Sequence, residues 1–490
     1  MRSGQVTSHR PVDVIVAGSG VAGLCAAIEA AEAGAHVVVL EAQSDIGGAS
    51  AMSGAGCCLV DTPLQMANGI SDSVELALKD WAATGGSSAD LEWARSYLEH
   101  TRRDVYEWCE RLGIRWVALA QPEGNSVPRW HLPEGWGRVI VDTLLAHARS
   151  AGVQIYRDAP VRRLLCDGTA VRGAVAAIAG TEREIPAAAV VMATGGFAGD
   201  LDMVLAAAPQ LRTLPRLLSG GSPTALGLGH TLLRRVGAQL TSLDHIWVYP
   251  NATPDPSDPS GRRGLGVRGI TGDTWLNQHG RRFHNETLNG GRSGTAALLA
   301  QPGMTAWCVF SAAEKPDLAL IDNEYFATPA GPHPDAMEEF WKTSAHAWQA
   351  DGPEELAAAI GLPAAAVCQS IDAFDRSVRD GLAQDSVFGR DLAGARPLGD
   401  GALAAIQLFP MAQKNFGGVR TDLDCRVQSE DGTPIQGLFA AGEVAGMAGG
   451  CINGRAALEG TMFGPCIYSG RVAGLHAAAV SQITMPSYRS

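Results

Sequence analysis

The chain has 490 residues, enough for two or three domains with ample core. Hydrophobic residues make up 46% and charged residues 18%, which excludes a disordered chain. A net charge of −13 argues against nucleic acid or an anionic membrane surface as the main partner, leaving Arg262-Arg263 and Arg281-Arg282 as local anion sites.

The first ten residues carry no apolar h-region, and no run of about 18 apolar residues follows, so the expectation is a soluble, cytoplasmic protein without a membrane span. Residues 12–41 then read as a strand–helix–strand unit. Val12 to Val16 is a short β-branched run, Ala22 to Ala33 is an Ala-rich helix stopped by Gly34, and Val37 to Leu40 is the second strand. Gly18, Gly20 and Gly23 fall at the strand-to-helix turn in the G-x-G-x-x-G spacing. The first glycine permits the turn, the second lets a pyrophosphate approach, and the third lets helix and strand pack closely. Val21 and Ala22 open the helix, whose N-terminal amides and dipole face the phosphates. Glu41, 18 residues after Gly23, closes the second strand where an acid bonds a ribose hydroxyl, with Ala42 beside it. The unit predicts dinucleotide binding.

A second Gly/Ser-rich loop follows at once, with Gly47, Gly48, Ala49, Ser50, Ser53 and Gly54. Residues 60 to 150 read as mostly helical, with helices over Ser73 to Ala83, Asp90 to Leu112 and Arg138 to Ala151. Trp130, His131 and Trp136 sit on loops where aromatic residues serve either packing or a ligand. Val153 to Tyr156, Val161 to Leu165 and Val171 to Ile178 read as strands. Ile185 to Met192 is another, ending in Ala193-Thr194-Gly195-Gly196, small residues that let a strand end abut a cofactor. Composition changes from about Asp244 to Asn415. That segment holds a Pro-rich polar loop over Asn251 to Ser260, the Gly280-Arg-Arg-Phe283 run, and helices Asp335 to Asp351 and Pro353 to Asp380. Beyond it, Gly417-Gly418 leads to an apolar strand ending in Ala441-Gly442-Glu443. Residues from Gly449, including Asn453-Gly-Arg455, Ala457 and Leu458, open a last helix through about Ala479, whose amides should face the cofactor. The ten cysteines form no C-x-x-C pair and no metal cluster, and read as reduced structural thiols.

The second loop resembles the one that follows the FAD pyrophosphate in two-dinucleotide-binding-domain flavoproteins. Taken with Ala193-Thr-Gly-Gly196, Gly280-Arg-Arg-Phe283, Gly417-Gly418, Ala441-Gly-Glu443 and Asn453-Gly-Arg455, the chain resembles the fumarate reductase/succinate dehydrogenase flavoprotein family and its 3-ketosteroid dehydrogenase-like members. The resemblance implies an α/β fold: a Rossmann-like FAD-binding domain over residues 11–243 and 416–482, an inserted α+β capping domain over 244–415, and flexible tails at 1–10 and 483–490. It implies hydride exchange between FAD and a C–C or C=C bond α,β to a carbonyl or carboxylate of a small-molecule substrate. With no second redox group in the chain, the electron donor or acceptor must be external.

By resemblance, Arg282 matches the arginine acid of the fumarate reductases, with Arg268 and Glu286 as members of its proton relay. Arg455 matches the arginine that binds substrate and polarises its carbonyl. A surface or structural ion pair is the alternative role for either arginine. The family's fumarate-binding histidines have no counterparts: Tyr249-Pro250 stands where a His-Pro pair is expected, and Lys414-Asn415-Phe416 where the other histidine should precede Gly417-Gly418. A dicarboxylate substrate is therefore disfavoured, and Tyr249 becomes an alternative proton donor or core packing. No histidine lies between His36 and His100, so FAD is expected to be non-covalent. The reading is desaturation of a ketone or ketosteroid-like substrate. Reduction of an enone or unsaturated acid, an O2-dependent amine or amino-acid oxidase, and a non-catalytic flavin-binding protein are its alternatives.

Overall fold

A computed structural model describes residues 11–168, 170–321, 326–327 and 331–484. They form two compact units. The first takes the chain up to Ala208, then Gly221–Ile246, and everything from Lys414 on; the second takes Pro209–Gly220 and Trp247–Gln413.

In the first unit the strand Val12–Ala17 is the central element, with parallel strands on both sides and every side chain after Val12 buried. Asp13 is the polar exception, and its carboxylate accepts the His36 N–H at 2.7 Å. Across the sheet the order is Arg426–Gln428, Pro434–Ala440, Thr181–Met192, Val12–Ala17, Val37–Leu40 and Gln154–Tyr156. Only the first of these runs antiparallel to its neighbour. The antiparallel strands Val161–Asp167 and Ala170–Ile178 extend Thr181–Met192 on one side. Helix Val21–Glu32 lies against the final helix Phe463–Thr484, and the seam is made of small residues. A Cβ on Gly470 or Gly474 would collide with the backbone carbonyl oxygens of Ala22 and Ala26.

The expected helices of the 60–150 region form over Val74–Gly85, Leu91–His100 and Trp136–Ser150. The first two are capped by the side chains of Ser73 and Asp90. The long Asp90 to Leu112 helix passes through a π-helical turn at Thr101–Tyr106 before Glu107–Arg111. The region is less helical than expected. Cys57–Cys58, Trp116–Ala120 and Trp130–Pro133 pair as a three-stranded sheet, so Trp130 and His131 lie on a strand and Trp136 on a helix, not on loops. The Gly/Ser loop likewise contains a short helix, Gly48–Met52. The last helix begins at Phe463, not Gly449, because residues 449–462 make a run of turns in which Gly449, Gly450, Gly454 and Gly460 have positive φ. It continues to Thr484, two residues into the segment expected as a tail. Residues 1–10 and 485–490 lie outside the described residues.

The second unit is built on an eight-stranded sheet whose main path is Thr274–Leu276, Ala306–Ser311, Leu403–Asn415, Ile246–Pro254, Gly264–Arg268 and Ala319–Ile321. Side chains alternate faithfully across it. Ala306, Cys308, Phe310, Ala404, Ile406 and Leu408 face one core, which includes Met337 and Phe340 of helix Pro334–Thr343. Trp307, Val309, Leu403 and Ala405 face the other, with Leu356, Val367, Ile371 and Phe374 of the helices Pro353–Ile360 and Ala364–Arg379.

Four expectations change here. The Asp335 to Asp351 helix stops at Thr343, and Ala347–Ala350 joins the sheet as an edge strand. The Pro353 to Asp380 helix is two helices, broken by Gly361 at φ +72° and by Pro363. Asn251 to Pro254 is buried strand, not loop. Residues 209–220 group with this unit because Leu218–Ser219 pairs in parallel with Met411–Ala412.

If the glycine seam sets the spacing of the two helices, Gly474→Val forces a side chain into backbone. We expect a loss of at least about 1–3 kcal/mol in thermal or denaturant unfolding, and Leu475→Val, on the exposed face beside it, should change little.

Candidate active site

The first candidate site grows from the turn after Val12–Ala17. Gly18 has φ +103°, and a Cβ there would strike the Ala193 carbonyl; one on Gly23 would strike the carbonyl of Gly18. Both positions therefore exclude any larger residue. Gly20 is the N-cap of the Val21–Glu32 helix and gives it no side-chain cap. The Val21 N–H instead donates to Ser50 Oγ at 3.0 Å, which draws the second motif against the helix start.

Glu41 is buried, and its carboxylate accepts Ser19 N–H at 2.9 Å, Ser19 Oγ–H at 2.5 Å and Gln43 N–H at 2.9 Å. Gly47 N–H donates to the same Ser19 hydroxyl at 3.2 Å. Ser19 thus ties the glycine turn, the Glu41 strand end and the Gly47-Gly48 motif together. Sequence reading passed over it, although a hydroxyl between the first two glycines of the fingerprint was visible. Nothing lies within 4 Å of where a Cβ would stand on Gly54 or on Gly195, which has φ +73°. Ser53 Oγ accepts the Ala55 N–H. Ala49 continues the short helix after Gly48, and Ala42 follows Glu41.

Ala193 donates its N–H to the Ala17 carbonyl, and the next residue, Thr194, has a buried hydroxyl with no hydrogen-bond partner. Glu443 is half-buried, and desolvation pushes its carboxyl up to about 7 against the opposing pull of the Asn415 and Gly196 N–H groups and of Lys414. Asn415 is a second missed hub. Its Oδ1 accepts the Phe197 N–H at 2.9 Å, its Nδ2 donates to the Gly417 carbonyl at 2.8 Å, and a Cβ on Gly196 would collide with both Asn415 and Glu443. Gly442 N–H donates to Ser469 Oγ. Ala457 and Leu458 are buried in the turns ahead of the final helix. An uncapped helix N-terminus, glycine positions open to a ligand, a carboxylate at a strand end and an orphaned threonine hydroxyl fit a dinucleotide.

The candidate catalytic residues divide. Arg455 belongs to the first unit, with its side chain 63% exposed and Nη2 donating to Asp244 at 2.8 Å. Beside it, His245 is buried and has Nδ1 3.3 Å from Cys451 Sγ; burial and the Arg455 charge hold its imidazole below the usual range.

Arg282 and Tyr249 belong to the second unit. Arg282 is buried and bonds Glu286 through Nε at 2.8 Å and Nη2 at 2.7 Å, and Asp385 at 3.3 Å. The rings of Phe374 and Phe388 flank its guanidinium at 5.4 and 5.2 Å. Arg390 shares Glu286 at 3.2 Å. Of the two expected relay members, Glu286 therefore meets Arg282, but Arg268 does not. Its guanidinium lies over the Tyr249 ring at 5.3 Å, and Trp247 packs edge-on against the same ring. Trp130 and His131 are packing elements. Arg129 is fully buried between Asp72 and Asp80, and His131 bonds Thr62 at 2.7 Å. Among the described residues, no group of three or more His, Cys, Asp or Glu is placed to hold a metal, and no helix is long and apolar enough to cross a membrane.

The sequence profile of the FAD binding domain family matches residues 13–461. The chain belongs to this family. It is 31% identical to a KsdD-like steroid dehydrogenase of Mycobacterium tuberculosis, over 95% of each chain. Among solved structures it is similar to the 3-ketosteroid-Δ4-(5α)-dehydrogenase of Rhodococcus jostii RHA1 at 30% identity and TM-score 0.70, covering 96% of this chain and 98% of that one. It is also similar to an open-conformation flavocytochrome c3 fumarate reductase at 28% identity and TM-score 0.75, covering 97% and 79%. The chain is thus an FAD-dependent oxidoreductase of the group acting on CH–CH bonds.

Two outcomes follow from the buried charges. Arg282→Ala leaves Glu286 and Asp385 buried with one cation fewer, and should lower stability by about 3–5 kcal/mol in denaturant unfolding. Burial drives His131 and His230 down to about 4. Because the folded value lies below the ordinary 6.5, their stabilising contribution is full above pH 6.5 and is lost as pH falls towards 4. We expect the unfolding free energy to fall across that window by up to about 3 kcal/mol per histidine, read as a falling melting temperature, and His131→Gln to flatten the drop.

Proposed function

We propose that this family member desaturates a ketone of ketosteroid-like shape next to its carbonyl, with FAD held non-covalently by the Gly18–Gly23 turn, Glu41, the Gly47–Gly54 motif, Ala193–Gly195 and the Gly442–Glu443 strand end. Bound FAD supplies the hydride acceptor. Arg455, on an exposed turn and held by a single acid, binds and polarises the substrate oxygen. Tyr249 takes the α-proton. Work in the cytoplasm with an external electron acceptor belongs to the same reading.

The observation that carries this reading is the surrounding of Tyr249. A buried phenol stands where the fumarate reductases place a histidine, with the Arg268 guanidinium over the face of its ring at 5.3 Å. Arg282 is the weaker proton group, since its guanidinium is committed to two carboxylates. Full-length likeness to steroid dehydrogenases supports a ketone over a dicarboxylate substrate.

The test is anaerobic flavin absorbance. Saturated ketones, 3-ketosteroids among them, should bleach the oxidised enzyme, and Tyr249→Phe should slow that bleaching by about 10²–10⁴-fold while substrate still binds. Arg455→Met should weaken binding of the ketone instead. Reoxidation of reduced enzyme by enones, with no bleaching by saturated ketones, would make the protein an ene-reductase. Inertness towards both sets, with fast reoxidation by air, would make it an oxidase.

A further inference from the structure

Inside the second unit lies a cavity of about 50 Å³ lined in part by Asn251, Asp273, Trp275, Cys308 and Arg268, the residue whose guanidinium lies over the Tyr249 ring. Two of its lining side chains carry buried polar atoms with no hydrogen-bond partner: Asn251 Oδ1 and Arg268 Nη1. Asn251 is almost fully buried, and its other amide atom is spent on the Val267 carbonyl at 2.8 Å. A donor and an acceptor orphaned at one polar cavity are what internal water satisfies, and this volume exceeds the roughly 10–15 Å³ that one water needs.

Asp273 lies on the wall of the same cavity. Its Oδ2 accepts Trp275 Nε1–H at 2.8 Å and Cys308 Sγ–H at 3.3 Å, and its Oδ1 is 3.6 Å from Arg390 Nη2. The charged groups facing it are Arg390 and, through Arg390, Glu286, with Arg268 across the cavity.

We propose that ordered water in this cavity connects the Asp273 carboxylate to the Arg268–Tyr249 pair, making Asp273 the positioning residue that exchanges the reaction proton with Tyr249. The inference rests on Tyr249 as the proton group of the proposed function. During desaturation the substrate α-C–H bond breaks, and its electron pair forms the new double bond as hydride leaves the β-carbon for FAD. Tyr249 takes the α-proton as its own hydroxyl proton passes to the water bound at Arg268, and that water hands a proton to Asp273. The guanidinium stays charged throughout. Asp273 ends as the neutral acid and then releases its proton to solvent. Burial, assisted by Glu286 and opposed first by Arg390, brings the Asp273 carboxyl up to about 6, which leaves it ionised and ready to accept at neutral pH yet able to hold the proton between turnovers.

The test uses the full-length FAD-loaded enzyme. For Asp273→Asn we expect the rate of anaerobic flavin bleaching by ketone to fall about 10–100-fold without weaker ketone binding, and the limb of its pH profile near 6 to disappear. Asn251→Leu, which fills the cavity and leaves Asp273 in place, should cause the same loss. Infrared spectroscopy should show a protonated carboxyl band that titrates near pH 6 in the parent protein and is missing from Asp273→Asn. An unchanged limb in Asp273→Asn, or full activity in Asn251→Leu, overturns the relay. Should Asp273→Asn fail to fold, Asn251→Leu and the titration of the parent band decide the matter. Tyr249→Phe separates the two readings. Full activity there overturns the assignment of Tyr249 itself, whereas a slow Tyr249→Phe beside an unaffected Asn251→Leu overturns only the relay.

Discussion

The first unit depends on one close approach. Helix Val21–Glu32 is pressed from one side by the strand it follows, through Gly18 and Gly23, and from the other by the final helix, through Gly470 and Gly474. No side chain separates the backbones at these points. The seam gains dispersion contacts along its length, and any added carbon must displace backbone. It also fixes the start of the first helix, and with it the N-terminal amides, relative to Ser19, Glu41 and Ser50. The proposed dinucleotide site is therefore an outcome of helix packing as much as of its own loop.

The second unit answers a different problem, the burial of charge. Arg282, Arg390, Glu286, Asp385 and Asp273 are all withdrawn from solvent. Such a cluster is costly to desolvate and contributes little net stability, but removal of any one member is expensive. Its arrangement holds Arg282 in place, while Arg268, outside the cluster, stays with Tyr249. Two arginines that the resemblance grouped together are separated in the fold by what each one neutralises.

The strand–helix–strand opening was fully legible because three glycines, an Ala-rich helix and a terminal acid all demand the same local geometry. The helix capped by Ser73 was legible for the same reason: local chemistry and local structure agree. Trp116–Ala120 was not, since its burial scarcely alternates and only pairing with Trp130–Pro133 makes it a strand. Three prolines disguised Asn251 to Pro254, where burial by neighbouring strands outweighs turn propensity. Asn415 was beyond reach because the N–H it receives, that of Phe197, lies 218 residues away in the sequence. Arg455 was found as a residue, but its exposure and its pairing with Asp244 needed coordinates.

The division of the first unit into separated pieces bears on how the chain must be made. Strand Thr181–Met192 finds its neighbour Leu438–Ala440 only at the far end of the sequence, after the second unit. On the ribosome, Val190 to Met192 therefore wait with one edge open while about 250 further residues are added, for roughly ten to fifty seconds at ordinary rates of synthesis. An apolar strand edge held open that long invites pairing with other nascent chains.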